Sequence, residues 1–291
     1  MNGDARMQPG AGGQVVAALD ASLFTQGVCR HAAWAASRLG VPLACLHVVE
    51  DRRARAGAAL VDVALDPGTA LLDEAELLET SGKLDRDARG QLLLQQAGAL
   101  ATRECEVQVR ALLGRGPLAG VLGTMATDAA LFVMGRRGEQ SEFEKARMGS
   151  QVERVVRGIG QPLLVASRGF SGIRRVLVAY DGSDNGNRRM EWVARSPLFT
   201  GLDMRVVTVG DDGMRPALDR ALGMLADAGM QATGKVVHGD PQEVIGQHAE
   251  AVRADLLVMG AYGRSRIHQL LMGSTTSTLL RTSRIPVLLL H

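Results

Sequence analysis

The stretch best suited to chemistry lies at the end of the chain, DLLVMGAYGRSRIHQLLMGSTTSTLLRTSRIPVLLLH, from Asp255 to His291. An apolar run of strand length, Leu256 to Met259, gives way to Gly260; two residues separate it from Gly263, and nine more lead to Gly273-Ser274. The apolar spacing of Leu279 and Leu280 then predicts a helix. Glycines let an anion approach backbone amides closely, and a helix N-terminus adds unpaired N–H groups and about half a positive charge. Strand, glycine loop and Gly-Ser-led helix therefore describe a phosphate cradle, with the Ser274 hydroxyl as a donor. Turn-making alone is the better account of an isolated Gly-x-x-Gly, so the surroundings of the loop must decide.

A carboxylate is the first of those surroundings. Asp181 follows the apolar run Arg175 to Tyr180 and leads into Gly182-Ser183. It can accept two hydroxyl hydrogens from a ribose, or cap the next helix, and the two roles are compatible. Arg264, just after the second glycine, is the best local candidate for a phosphate counter-charge, though an exposed surface arginine is the commoner explanation of such a residue. No Gly-x-x-x-x-Gly-Lys-Ser/Thr loop and no Gly-x-Gly-x-x-Gly fingerprint occurs in the sequence. His238, Asp240 and His268 show no catalytic spacing and read as turn or surface residues. No catalytic residue is assigned. The six histidines and three cysteines form no metal-ligand pattern.

These residues need a scaffold that brings strand ends and loops together. Val15 to Leu19 closes on Asp20, residues 25–39 carry helical spacing, and Leu43 to Val49 is a second strand. A helix is predicted at about 84–102, a strand at Val107 to Leu113, another ending at Gly135, and a last one from Pro162 to Ala166. Residues 50–82 are charged, glycine-dotted and aperiodic, an excursion with room for a short helix. After RGFSGIRR the series restarts. RVLVAYDGS matches VVAALDAS, DLLVMGAYG matches ALFVMGRRG, and thirteen residues separate the Met-Gly-Ser glycine from the last-strand proline in both copies, Gly149 to Pro162 and Gly273 to Pro286. The chain is an internal duplication. Alternating strands and helices imply parallel sheets, whose ligands sit beyond the carboxyl ends of the strands where the winding reverses.

Composition narrows the partners. At 291 residues the chain suits two domains of about 145 residues, each able to bury its own core. Aromatics at 3% provide no stacking platform for nucleic acid, and a net charge of +2 gives no footprint for polyanions or acidic membranes. No apolar run reaches a membrane span, no signal peptide is evident at the N-terminus, and three unpaired cysteines suit a reducing compartment. A cytoplasmic protein is expected.

With these motifs in hand, the sequence resembles the universal stress protein family in its tandem two-domain form. The resemblance spans a domain at 14–167 and another at 174–291, joined by a linker at 168–173 and preceded by a mobile tail at 1–13. It implies an α/β fold of two open five-stranded parallel-sheet domains, Rossmann-like and of the nucleotide-binding alpha-hydrolase-like kind, related by a pseudo-twofold. Nucleotide-binding members carry the glycine pattern of residues 260–274 and an aspartate closing the first strand. By this resemblance Asp181 meets the ribose, Val209 contacts adenine through its backbone and Ala179 lines the adenine pocket. Gly260, Gly263, Gly273 and Ser274, with Arg264 and Thr275 beside them, hold ribose and phosphates. A second site in the first half would use Ala18, Asp20, Val48, Gly135, Gly138, Gly149 and Ser150. That copy departs from the pattern, with ten residues between Gly138 and Gly149 and three glutamates, Glu139, Glu142 and Glu144, among them. The implied cofactor is ATP, with or without Mg2+, and the implied role is a nucleotide-responsive stress regulator acting on a protein partner. A scaffold with a vestigial site and a slow ATPase are the rivals. The final strands would pair the two halves within a chain, and a homodimer of chains is compatible with that.

Overall fold

The structure, a computed structural model, describes residues 13–49, 60–73, 76, 79–80, 82–136, 150–261 and 273–291. They form two compact units, Gly10–Phe170 and Ser171–His291.

In the first unit β1 (Gln14–Leu19), α1 (Thr25–Leu39), β2 (Leu43–Val49), β3 (Val61–Val63), α2 (Arg86–Glu104), β4 (Val109–Arg115), α3 (Leu118–Met125), β5 (Ala129–Gly135), α4 (Ser150–Gly158) and β6 (Leu163–Ala166) follow in order. The sheet order is β3-β4-β2-β1-β5-β6, parallel throughout except that β3 runs antiparallel to β4. Val15, Val16 and Ala17 are fully buried because helices cover both faces of a parallel sheet. Alanines 32, 33, 35 and 36 let α1 lie close to that sheet, and Gly40, at φ 66°, ends the helix in the left-handed conformation that glycine adopts without strain. The helix expected near 84–102 and the strand expected from Val107 each begin two residues later, since Asp85 caps α2 by accepting from the Ala88 N–H at 2.8 Å and residues 106–107 form a bend.

The excursion holds a feature its sequence does not announce. Five parallel strands are joined by a sixth, β3, and the chain after it is fastened to α2 by two glutamines. The side-chain carbonyls of Gln95 and Gln96 accept from the N–H groups of Asp66 and Leu72 at 3.0 and 2.8 Å, and their amides donate back to the carbonyls of Ala64 and Ala70.

The second unit contains β7 (Arg175–Ala179), α5 (Asp184–Arg195), β8 (Asp203–Val209), α6 (Arg215–Asp227), β9 (Ala232–Val237), α7 (Pro241–Ala251), β10 (Leu256–Gly260), α8 (Ser274–Thr282) and β11 (Val287–Leu290). Its sheet order is β11-β10-β7-β8-β9, all parallel. Asp255 sets the register of β10 on β7, its Oδ2 accepting from the N–H groups of Arg174 and Arg175 at 2.9 and 2.8 Å. In both units the first parallel strand lies between the second and the fourth, so the winding reverses beside β1 and β5 in one and beside β7 and β10 in the other. At that switch point the carboxyl ends of the strands leave a crevice.

Candidate functional site

The parallel register of the second unit places the ends of β7, β8 and β10 on one edge, bringing Ala179, Asp181, Val209 and Gly260 together. Gly273 precedes α8 without a side-chain cap, and Ser274 and Thr275 form its first turn, Ser274 exposed and Thr275 half-buried. Thr276, buried, donates from Oγ1 to the Gly260 carbonyl at 3.0 Å, so the start of α8 is tied to the end of β10. Gln242 of α7 stands beside the same turn, its Nε2 3.5 Å from the Ser274 Oγ while its Oε1 accepts from Thr278 at 2.9 Å. Gly263, Arg264 and His268 lie outside the described residues.

Asp181 does not cap the helix that follows. That role belongs to Ser183, whose Oγ accepts from the Gly186 N–H at 3.0 Å. The Asp181 Oδ1 accepts instead from the Ser183 N–H at 3.0 Å and from its Oγ at 2.7 Å, which aims the cap and fixes the carboxylate at the strand end. A β-carbon on Gly186 would stand 2.3 Å from that Oδ1, so only glycine leaves room for it. Next to it, the Tyr180 hydroxyl donates to Asn187 Oδ1, and burial pushes its pKa above the usual tyrosine value.

Arg189, one helical step beyond Gly186 on α5, also reaches this edge. A β-carbon on Gly260 would lie 2.3 Å from its Nη1 and 2.6 Å from its Cζ, so the guanidinium rests on the bare α-carbon. Burial lowers its pKa and the Asp181 carboxylate raises it, placing cation and carboxylate in one field. His291, after β11, is held down to about 4, mainly by burial and further by the Arg189 charge. Sequence reading passed over Arg189. The available signal was its i, i+3 spacing from a glycine that faces the site.

In the first unit Ala18, Asp20, Val48 and Gly135 occupy the corresponding strand ends, and Ser150 opens α4; Gly138 and Gly149 lie outside the described residues. Here the chain covers its own edge. Val48 pairs with Gly114, and a β-carbon there would meet Leu60 Cδ2 at 3.3 Å and Val48 Cγ2 at 3.4 Å. Leu72 packs against Ala21, the residue after Asp20, and against Leu93. His47 is buried below, its Nδ1 2.9 Å from the Leu19 carbonyl, to which the ring N–H donates. In the second unit β9 is the outermost strand on that side, and the short link after β8 folds Met214 over Gly210 instead.

The other candidates take structural places. Asp240 caps α7, accepting from the Gln242 N–H at 2.7 Å, and His238 is an exposed residue 3.8 Å from a fully exposed Asp212. The three cysteines are buried and free. Among the described residues no three metal-ligating side chains gather, and none of the helices is long and apolar enough to cross a membrane.

The Universal stress protein family matches twice, over residues 13–167 and 172–291. Universal stress protein Slr1230 of Synechocystis sp. is 34% identical over 280 residues, covering 92% of this chain and 96% of its own. Among solved structures, a universal stress protein from Archaeoglobus fulgidus superposes with a TM-score of 0.66 at 19% identity, covering 96% of each chain. A universal stress protein in complex with cAMP covers 42% of this chain and 98% of its own at 29% identity, with a TM-score of 0.36.

Proposed function

The chain belongs to the universal stress protein family, and from that premise we propose that its second half binds one adenine nucleotide, ATP, as the sensing step of a cytoplasmic stress regulator read by a protein partner. The observation that carries the reading is the convergence on one edge of a braced carboxylate, Asp181, a bare strand end, Gly260, and a helix start, Gly273-Ser274, lacking a side-chain cap. Asp181 accepts from the ribose hydroxyls, and the backbone at Val209 and the side chain of Ala179 face adenine. The amides after Gly273 and the Ser274 hydroxyl take phosphate oxygens, with Gly263, Arg264 and Thr275 completing the cradle. No carboxylate cage for magnesium is gathered among the described residues, so Mg2+ would arrive held by the phosphates.

The first half serves as a partner domain with no nucleotide of its own. Leu60 beside Val48 and Leu72 against Ala21 put apolar side chains where the resemblance would set adenine and ribose. Nucleotide extracted from the purified chain, with ATP titrated by calorimetry, tests both statements. One adenine nucleotide per chain is expected, with binding abolished and folding kept in Asp181→Ala and Gly273→Glu. Two per chain would overturn the assignment of the first half. None, or unchanged affinity in both variants, would overturn the site.

A further inference from the structure

We propose that Arg189 is a binding residue that reads phosphate charge, a role resting on the nucleotide reading of the second half but assigned by different atoms. The guanidinium lies on the α-carbon of Gly260, its Nε, Cζ and Nη1 within 2.3 to 3.2 Å of where a β-carbon would be. Gly260 is also the residue whose carbonyl accepts from Thr276 in the first turn of α8. One residue thus joins a fixed cation to the positive end of a helix, at the switch point where β7 and β10 part.

The charge is kept at a cost. Burial lowers the pKa of Arg189 and the Asp181 carboxylate opposes this, while the ring of His291, which feels the Arg189 charge, is held neutral. An apolar side chain would fill the same space without desolvating a cation. A guanidinium presents planar paired donors that match phosphate oxygens, and it keeps its charge at any physiological pH. Placed between the carboxylate that takes ribose and the helix start that takes phosphate, it contacts the phosphate nearest the sugar. It thereby separates phosphorylated adenosines from adenosine itself. The glycine at 260 is then required by the arginine lying on it.

The test titrates the full chain, Arg189→Met and Arg189→Lys with adenosine, AMP, ADP and ATP, after circular dichroism confirms that each variant is folded. Wild-type affinity should rise from adenosine to its phosphates. The Met variant should lose about tenfold or more for AMP, ADP and ATP while adenosine stays within about twofold, as expected for a charged hydrogen bond removed from the phosphate alone. The Lys variant, which keeps the charge without the planar fork, should fall between. Equal losses for adenosine and ATP in either folded variant would make Arg189 a packing residue and overturn the proposal, as would undiminished ATP affinity. A wild-type chain that binds none of the four ligands would instead remove the nucleotide reading on which it rests.

Discussion

Replacing Gly186 by alanine tests the site without altering a charge or a donor. The added β-carbon would stand 2.3 Å from Asp181 Oδ1 and 3.3 Å from both Ser183 Oγ and Tyr180 Cε2. Ordinary contact needs roughly 3.5 Å, so the carboxylate must withdraw by about 1 Å. That withdrawal strains its bonds to the Ser183 N–H and Oγ, now 3.0 and 2.7 Å, and takes the carboxylate off the strand end. Hydrogen bonds to a charged group contribute about 1.5–3 kcal/mol, so ATP should bind about 10- to 150-fold more weakly. Stability should change little, because alanine gains up to about 1 kcal/mol over glycine in a helix and offsets part of the strain. Calorimetric titration reads the first effect and urea denaturation the second. Gly186→Ala and Asp181→Ala should not add, since both remove the same contact. Losses that add in the double variant, or a folded Gly186→Ala chain with wild-type ATP affinity, would refute the reasoning.

Other substitutions separate space from backbone propensity. Gly27→Ala should destabilise the chain by about 1–3 kcal/mol or more, because the β-carbon would meet the main-chain oxygens of Ser167 and Arg168 at 2.3 and 2.5 Å. Gly223→Ala, on an exposed stretch of α6 with nothing within 4 Å, should stabilise by about 1 kcal/mol; urea midpoints moving in the same direction for both variants would refute the contrast between them. His291 titrates near 4 when folded and near 6.5 when unfolded, so the unfolded chain takes the proton first. Stability should fall as pH drops from about 6.5 towards 4, and His291→Gln should flatten that fall in urea titrations across the range. A hydrogen bond with Cys45 and then burial raise the thiol pKa of Cys29, burial raises that of Cys105, and Cys45 is itself buried, so an aromatic disulfide reagent should label none of the three in the folded protein and all three in denaturant.

Much of the fold is legible because the chain states it twice. Each strand and helix that reads weakly in one half is supported by its counterpart in the other, and parallel topology then fixes which strand ends share an edge. Asp181 and Gly260 follow from that alone. The role of Asp181 is less legible, since aspartate and serine are both good caps; the hydrogen bonds give the cap to Ser183 and leave Asp181 to brace it. The excursion stays hidden because its shape comes from outside itself. Val61 to Val63 become a strand by pairing with β4, and residues 64–72 are held by Gln95 and Gln96, two polar side chains on a helix that present no periodic signal.

The duplication also supplies an internal control. Gly27 and Gly186 are each the third residue of the first helix in their half, and in both an arginine follows three residues later, Arg30 and Arg189; Arg30 pairs with Glu104 at 3.2 Å. In the first copy that arginine is drawn to Glu104, and the chain lays Leu60 beside Val48 and Leu72 against Ala21. Both apolar contacts come from the excursion between β2 and α2. Undirected drift would weaken packing as often as polarity, yet the core of the first half is intact, with Leu43, Leu46, Leu93 and Phe132 all buried. The pattern fits the proposal that the first half is kept for its fold while its twin binds the nucleotide.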